Sequence, residues 1–278
     1  MMFEIYVDRL KRSFKKNGPF KTFLTLPKKA SLILEDLQNI KRNKTIYNIM
    51  AKHTRIIPYQ YMSIGGYTIK DHNKVGDTNK VALCFGIYNE VQTELSLVDK
   101  GYKVYAFDPT PISVDLFRNN TKLNKLIHYK PWAVWSEDKK MKFFYKEDYQ
   151  SFDNFEGTLE DIDHSNQYET VDAFSLKTIM EKFDLSIVDY IKMDVEGAVP
   201  EVLIAYFNSE SDESKFPYEI VFELEMPKDF KMKKAIELLE KIDVLLDTLN
   251  KYYNVYNIPN DKAHKNMHIH ATRFDRDI

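Results

Sequence analysis

Two short apolar runs decide the fold: Lys80-Val81-Ala82-Leu83-Cys84-Phe85, closed by Gly86, and Lys103-Val104-Tyr105-Ala106-Phe107, closed by Asp108. Neither alternates in polarity, so each reads as a strand buried on both faces, as in a parallel sheet. Between them, Glu90 to about Lys100 reads as a helix, and Gly101 stands where a C′ glycine ends one. Outward from this unit the alternation continues. Pro109 and Pro111 punctuate; about Ile112 to Leu123 is helical; Leu126 to Tyr129 and Lys140 to Tyr145 are strand-like. Ser175 to Phe183 reads as a helix, Val188 to Met193 as a strand ending at Asp194, the residues after Gly197 as a helix, and Glu219 to Leu224 as a strand. Lys228 to Lys251 is a long amphipathic helix with Ile236, Leu239, Ile242, Leu246 and Leu249 on one face. Tyr252 to Ile258 and Met267 to Phe274 form a strand pair around a polar turn, and Tyr59 to Lys70 is β-like with a break at Gly65-Gly66. This spacing indicates an α/β fold with a mostly parallel sheet and an antiparallel edge.

The 278 residues suffice for one large domain or one domain with an extension, and 44% hydrophobic with 29% charged residues is an ordinary globular composition. The single cysteine, Cys84, excludes an internal disulfide and a cysteine-based zinc site. The net charge of −2 hides an asymmetry: residues 9–55 carry 13 Lys or Arg against Glu35 and Asp36, a net of +11 that leaves −13 elsewhere. Residues 1–57 therefore read as a basic helical extension and residues 58–278 as the main domain. In the extension, Phe3, Tyr6, Val7, Leu10 and Phe14 form one apolar face, and a second helix runs from about Lys29 to Met50. Such a segment fits peripheral contact with a membrane surface, contact with a second subunit, or a solvated face paired with the acidic body. No stretch approaches 18 uninterrupted apolar residues and no signal-peptide pattern opens the chain, so the expectation is a cytoplasmic protein.

In parallel sheets ligands bind at the carboxyl ends of the strands. That directs attention to Gly86, Asp108, residues 131–136, Asp194 to Gly197, and Glu223. Asp108, directly after the second strand, is placed to accept both hydroxyls of a ribose. The loop Gly86-Ile87-Tyr88-Asn89-Glu90 opens a helix whose amides can meet a polar ligand. Glu90 and Asp194 disfavour a pyrophosphate and suit a cation. A nucleoside bearing a sulfonium, S-adenosylmethionine, meets both demands.

Four segments then resemble the FkbM-type class I methyltransferases. They are Cys84-Phe85-Gly86-Ile87 with Glu94, Ala106-Phe107-Asp108-Pro109-Thr110-Pro111, Trp135-Ser136-Glu137-Asp138 with Phe143, and Lys192-Met193-Asp194-Val195-Glu196-Gly197-Ala198, in that order over about residues 80–225. The resemblance implies a Rossmann-like class I methyltransferase fold and S-adenosylmethionine as cofactor. It implies a cofactor site of Phe85, Gly86, Ile87, Glu90, Asp108, Pro109, Trp135 and Asp194, with Gly86 under the methionine moiety, Asp108 on the ribose and Trp135 near the adenine. Asp194 and Glu196 would line the reaction site, and the acceptor would be a hydroxyl of a sugar, polyketide or surface glycan precursor; nucleic acid is not expected as a partner. One carboxylate would serve as general base; alternatively Asp194, Glu196 and Glu223 would hold Mg²⁺. The sequence departs from the family pattern twice. Tyr88 replaces the second glycine of Gly-x-Gly, and Val199-Pro200 follows Ala198 where an acid is usual. Tyrosine at the second glycine position is expected to narrow the pocket or reshape the loop.

Other readings exist. Asp161-Ile162-Asp163 matches the Asp-x-Asp pattern of metal-dependent glycosyltransferases, within an acidic run over 146–168 read as a long loop suited, like the basic segment, to acceptor binding. Tyr88 is also what a non-catalytic relative, a binding module without cofactor, would carry. Asp108 can be a helix cap, Trp135 plain core, and Asp194 with Glu196 a cap and dipole partner. His268 and His270 alternate as metal ligands do, but lack an evident third ligand and read as an ordinary surface strand. No G-x-G-x-x-G, P-loop, His-Glu-x-x-His or Gly-x-Ser-x-Gly signature occurs.

Overall fold

A computed structural model describes residues 44–57, 61–70, 80–144, 168–195, 197–225, 232–258 and 266–274. The expected helices before residue 44, the acidic run over 146–167 with Asp161 and Asp163, and Glu196 lie outside the described residues. The chain divides into two compact units, Met1–Met50 and Ala51–Ile278, and the sheet belongs to the second.

In chain order the described elements begin with helix α1 (residues 44–53), β1 (Arg55–Ile56), β2 (Tyr61–Ile64), β3 (Tyr67–Lys70), β4 (Val81–Phe85), α2 (Gln92–Asp99) and β5 (Lys103–Phe107). They continue with α3 (Pro111–Arg118), α4 (Leu123–Leu126), β6 (Ile127–Lys130), β7 (Ala133–Trp135), β8 (Lys139–Phe144), β9 (Tyr168–Ser175) and α5 (Leu176–Lys182). Last come β10 (Tyr190–Met193), α6 (Val199–Ser209), β11 (Glu219–Glu225), α7 (Met232–Leu249), β12 (Tyr253–Ile258) and β13 (Asn266–Arg273).

The main sheet has the order β1-β12-β13-β11-β10-β4-β5-β6. β6, β5, β4, β10 and β11 are mutually parallel, and the central β4 and β5 carry the apolar runs of strands buried on both faces. The antiparallel character at the other end comes from β13, which is inserted between β11 and β12 and pairs antiparallel with both. β4 is the switch point: the chain leaves it through α2 to β5 on one side, and β10 lies on the other.

Three local departures have physical causes. The helix expected over Ile112 to Leu123 is two, because the chain turns at Asn119 and Asn120, whose Oδ1 accepts from the Leu123 amide at 3.2 Å. Tyr168–Ser175, which follows the expected loop and matches no expected element, is a strand; Val171 and Ala173 face a small core with Ala133 and Phe143, while Asp172 between them is exposed. The Gly65-Gly66 break is the turn of the β2–β3 hairpin, where φ of +52° and +91° suits glycine.

Candidate active site

Because Met193 is in register with Phe85, the residues that follow β4 and β10 meet at the switch point. The Asp194 amide donates to the Phe85 carbonyl at 3.0 Å. Gly86 has φ +76°, and a Cβ placed on it would stand 1.7 Å from the Asp194 carbonyl oxygen. Only glycine fits this close backbone approach.

The loop after Gly86 is clasped by Asp108. The amides of Ile87 and Tyr88 both donate to Asp108 Oδ2 at 2.7 Å, and the Thr110 amide donates to Oδ1 at 2.7 Å. A carboxylate offers about four acceptor positions, so among the described residues one is left. Asp108 is thus the clasp of the loop before it is anything else, and a ribose would find a single open position rather than a free carboxylate. Nor does Asp108 cap α3. That is Thr110, whose Oγ1 accepts from the Ser113 amide, with Pro111 at the first helical position.

The same network explains the tyrosine that departs from the family pattern. Tyr88 holds φ +52°, the left-handed conformation that glycine would adopt. Its amide is bound by Asp108, and its carbonyl accepts from Ser113 Oγ at 2.6 Å, itself held by Thr110 Oγ1 at 2.9 Å. Tyr88 is therefore held by Asp108 and Ser113 in a backbone conformation that glycine adopts more readily.

Around Asp194 the sheet gathers residues that sequence reasoning missed or misread. Tyr67 on β3 donates its hydroxyl to Asp194 Oδ2 at 2.7 Å. The Tyr67 ring stacks on His268 with centroids 5.5 Å apart. His268 on β13 stands opposite Glu223 on β11, and their Nε2 and Oε2 are 3.3 Å apart. His268 and His270 are thus not on a surface strand: each pairs with a glutamate of β11, His270 with Glu219 at 3.0 Å, in the interior of the sheet. Burial, with the nearby Glu223 charge, holds the Asp194 carboxyl above its ordinary value, while Lys192 pulls the other way. The Glu223 hydrogen bond raises His268, and burial with the Asp194 charge pushes the Tyr67 phenol far up. His-x-His opposite Glu-x-x-x-Glu was the available signal; Tyr67, from a separate hairpin, had none.

The remaining expected residues are placed as follows. Phe85 and Ile87 are core, with Phe85 stacked on Phe107 at 5.0 Å; Glu90 is exposed and Pro109 half-buried. Trp135 packs on the small sheet with Lys139 over its ring at 5.7 Å. It is Trp132 that stacks on Phe107, the neighbour of Asp108, at 6.1 Å.

A hard divalent cation fits poorly here. Mg²⁺ needs near-octahedral oxygen donors, but one Asp194 oxygen is taken by Tyr67 and Glu223 is paired with His268. Among the described residues no three His, Cys, Asp or Glu are grouped to hold a metal ion.

The model of the methyltransferase FkbM domain matches residues 77–254. The chain belongs to the FkbM methyltransferase family. No curated protein matches it significantly. Among solved structures, the FkbM methyltransferase from Methylobacillus flagellatus KT is 14% identical, with 70% of this chain and 44% of that one covered and a TM-score of 0.44. Human methyltransferase 10 domain containing protein is 12% identical over 85% of this chain and 96% of that one, TM-score 0.39. M. capricolum TrmK in complex with S-adenosyl-homocysteine is 11% identical over 70% and 63%, TM-score 0.36. The chain spans less than half the length of the Methylobacillus FkbM structure. Among the described residues no helix is long and apolar enough to cross a membrane.

Proposed function

We propose that this FkbM-family protein is an O-methyltransferase that uses S-adenosylmethionine to methylate a hydroxyl of a sugar or glycan precursor. The observation that carries the reading is the contact of Gly86 with Asp194 at the switch point, where an amide-lined loop meets an acidic strand end. The residues suit the cofactor: Gly86 lets the ends of β4 and β10 close on each other at the switch point, and the acids at the strand ends favour a sulfonium cation. When bound, S-adenosylmethionine supplies a methyl group already activated for in-line displacement.

The chain's own part is to hold and deprotonate the acceptor. Asp194 has one oxygen on Tyr67 and the other without a partner among the described residues. That second oxygen is the group we assign to the acceptor hydroxyl proton. A carboxyl held above its ordinary value takes a proton more readily near neutral pH than a surface aspartate does. Glu223 and His268 flank it, a polar pair suited to the neighbouring hydroxyls of a sugar. Alignment of the acceptor supplies most of the rate, up to roughly 7–11 kcal/mol. Glu196 and the acidic run are further acceptor contacts in this proposal, and the basic segment over 9–55 a contact with an anionic surface or a second copy.

Calorimetric titration of S-adenosylhomocysteine into the full chain tests the reading. Micromolar binding, lost in an Asp108→Ala variant checked for folding by circular dichroism, is the expected result. A folded wild-type protein that binds neither S-adenosylhomocysteine nor S-adenosylmethionine sinks it, and UDP-sugars with Mn²⁺ are then the next ligands to titrate.

A further inference from the structure

Lys192 lies in the middle of β10 and is 4% exposed. Its Nζ donates to the Gly86 carbonyl, lies 5.3 Å from the centre of the Tyr67 ring, and stands 3.8 Å from Glu94 Oε1 of α2. Burial opposes the charge of this ammonium, but Glu94 and Asp194 outweigh it, and Cys84 and Asp108 add to the same side. A permanent cation therefore sits directly under the loop where the proposed function places another cation, the sulfonium. Those two demands conflict unless something cancels the lysine.

Glu94 is the group available to cancel it. It is fully buried, and among the described residues its carboxylate oxygens find no hydrogen-bond donor beyond the Cys84 thiol, a weak one. Buried carboxylates are normally satisfied by several donors, and leaving one bare is costly. Glu94 therefore acts through its charge: burial raises its carboxyl, and the Lys192 ammonium 3.8 Å away draws it back toward the ionised form.

We propose that Lys192 and Glu94 form a charge-balanced support for the methyl donor: the Lys192 ammonium pins the Gly86 carbonyl from beneath, and Glu94 neutralises it so that the loop accepts a cationic ligand. Lys192 is a positioning residue, and Glu94 sets the preference for the charged sulfonium over its neutral sulfide. This rests on the S-adenosylmethionine reading.

The test compares binding of S-adenosylmethionine, which carries the sulfonium, with S-adenosylhomocysteine, which does not. In Glu94→Gln the ammonium loses the foremost of its counter-charges and keeps Asp194. S-adenosylmethionine affinity then falls by about tenfold or more, as a unit charge across a low-dielectric gap requires, while S-adenosylhomocysteine affinity changes far less. A purely structural role for Glu94 weakens both ligands equally, which overturns the proposal. Because an unpaired buried lysine can unfold the protein, the neutral pair Lys192→Met with Glu94→Leu is made as well; replacing both charges together is tolerated far better than removing one. There the ratio of the two affinities stays at the wild-type value while both affinities fall, since the Gly86 carbonyl has lost its donor. Wild-type affinity for S-adenosylhomocysteine in that variant removes the pinning role, and a changed ratio removes the balancing role. If the wild-type protein binds neither ligand, the methyltransferase reading fails first and takes this inference with it, a result unlike any of the variant outcomes.

Discussion

Asp108 and Asp194 both close a parallel strand of the same sheet, yet their surroundings are nearly opposite. Asp108 is surrounded by amide donors: three backbone N–H groups reach it at 2.7 Å, and it knots the end of β5 to the loop after β4. Asp194 has one phenol hydroxyl, a second carboxylate nearby, and burial that disfavours its charge. The first carboxylate is fixed by the fold it fixes. The second is held at a cost, with an oxygen left for something else. An acid at a strand end is thus a clasp or a reagent according to the donors the neighbouring loops supply.

Removing the clasp breaks the comparison most sharply. Asp108→Ala leaves three buried amides without an acceptor, at roughly 1–3 kcal/mol each. A loss of about 3–5 kcal/mol in urea unfolding is expected, with S-adenosylhomocysteine binding lost as well. Asp194→Asn is the counter-test. It replaces a carboxylate that burial disfavours by a neutral isostere that still accepts from Tyr67, so stability at pH 7 holds or rises while methyl transfer disappears. Equal destabilisation by the two changes would erase the distinction. Gly86→Ala comes next. The added Cβ meets backbone, not a movable side chain, and overpacking with a left-handed alanine costs about 2–4 kcal/mol.

A pH series sharpens the contrast from the other side. His268 is raised by its bond to Glu223, so the pair stabilises the fold fully below about pH 6.5, the unfolded value. That contribution is lost as pH rises through the folded value. Asp194 has the same sign in a lower window: its folded carboxyl binds the proton more tightly than the unfolded one, so stability falls as pH rises from about 3.9. Urea midpoints measured from pH 5 to 9 should therefore decline for the wild type above pH 6.5, and His268→Asn should flatten that decline. An unchanged slope in the variant would mean that the His268–Glu223 pair is not ionic.

Much of this sheet was legible because its central strands, β4, β5 and β10, are short, largely apolar runs, each followed by a chemical marker. Gly86, Asp108 and Asp194 could be named from those ends alone. The rest of the site was not legible because its members come from elements distant in sequence and unremarkable locally. Tyr67 reaches Asp194 from a hairpin far upstream, and Glu223 meets His268 only through the pairing of β11 with β13. Lys192 was hidden in the opposite way. A lysine inside Tyr190-Ile191-Lys192-Met193 is an anomaly in a buried strand, and its reason, a carbonyl and a carboxylate beneath the loop, exists only in three dimensions. The β9 strand was missed because Glu169 and Asp172 mask the alternation that Val171 and Ala173 carry.

Tyr88 gives the smallest expected effect and the finest discrimination. Its left-handed backbone costs about 1 kcal/mol for a residue with a Cβ, and the Asp108 and Ser113 bonds hold it there. Tyr88→Gly relieves that strain but enlarges the conformational freedom of the unfolded chain, a loss of about 0.5–1 kcal/mol. The two nearly cancel, so the unfolding free energy should move by less than about 1 kcal/mol. Ligand affinity is then the informative readout. If the backbone course is all that the loop contributes, S-adenosylhomocysteine binds Tyr88→Gly and wild type within about threefold. If the tyrosine ring occupies ligand space, the glycine variant binds at least tenfold more tightly, and this chain is one whose first loop keeps the shape of a cofactor site while its side chain limits what enters. The clasp at Asp108 predicts the first result: it holds the backbone at Ile87 and Tyr88 through their two amides, whichever side chain stands at position 88.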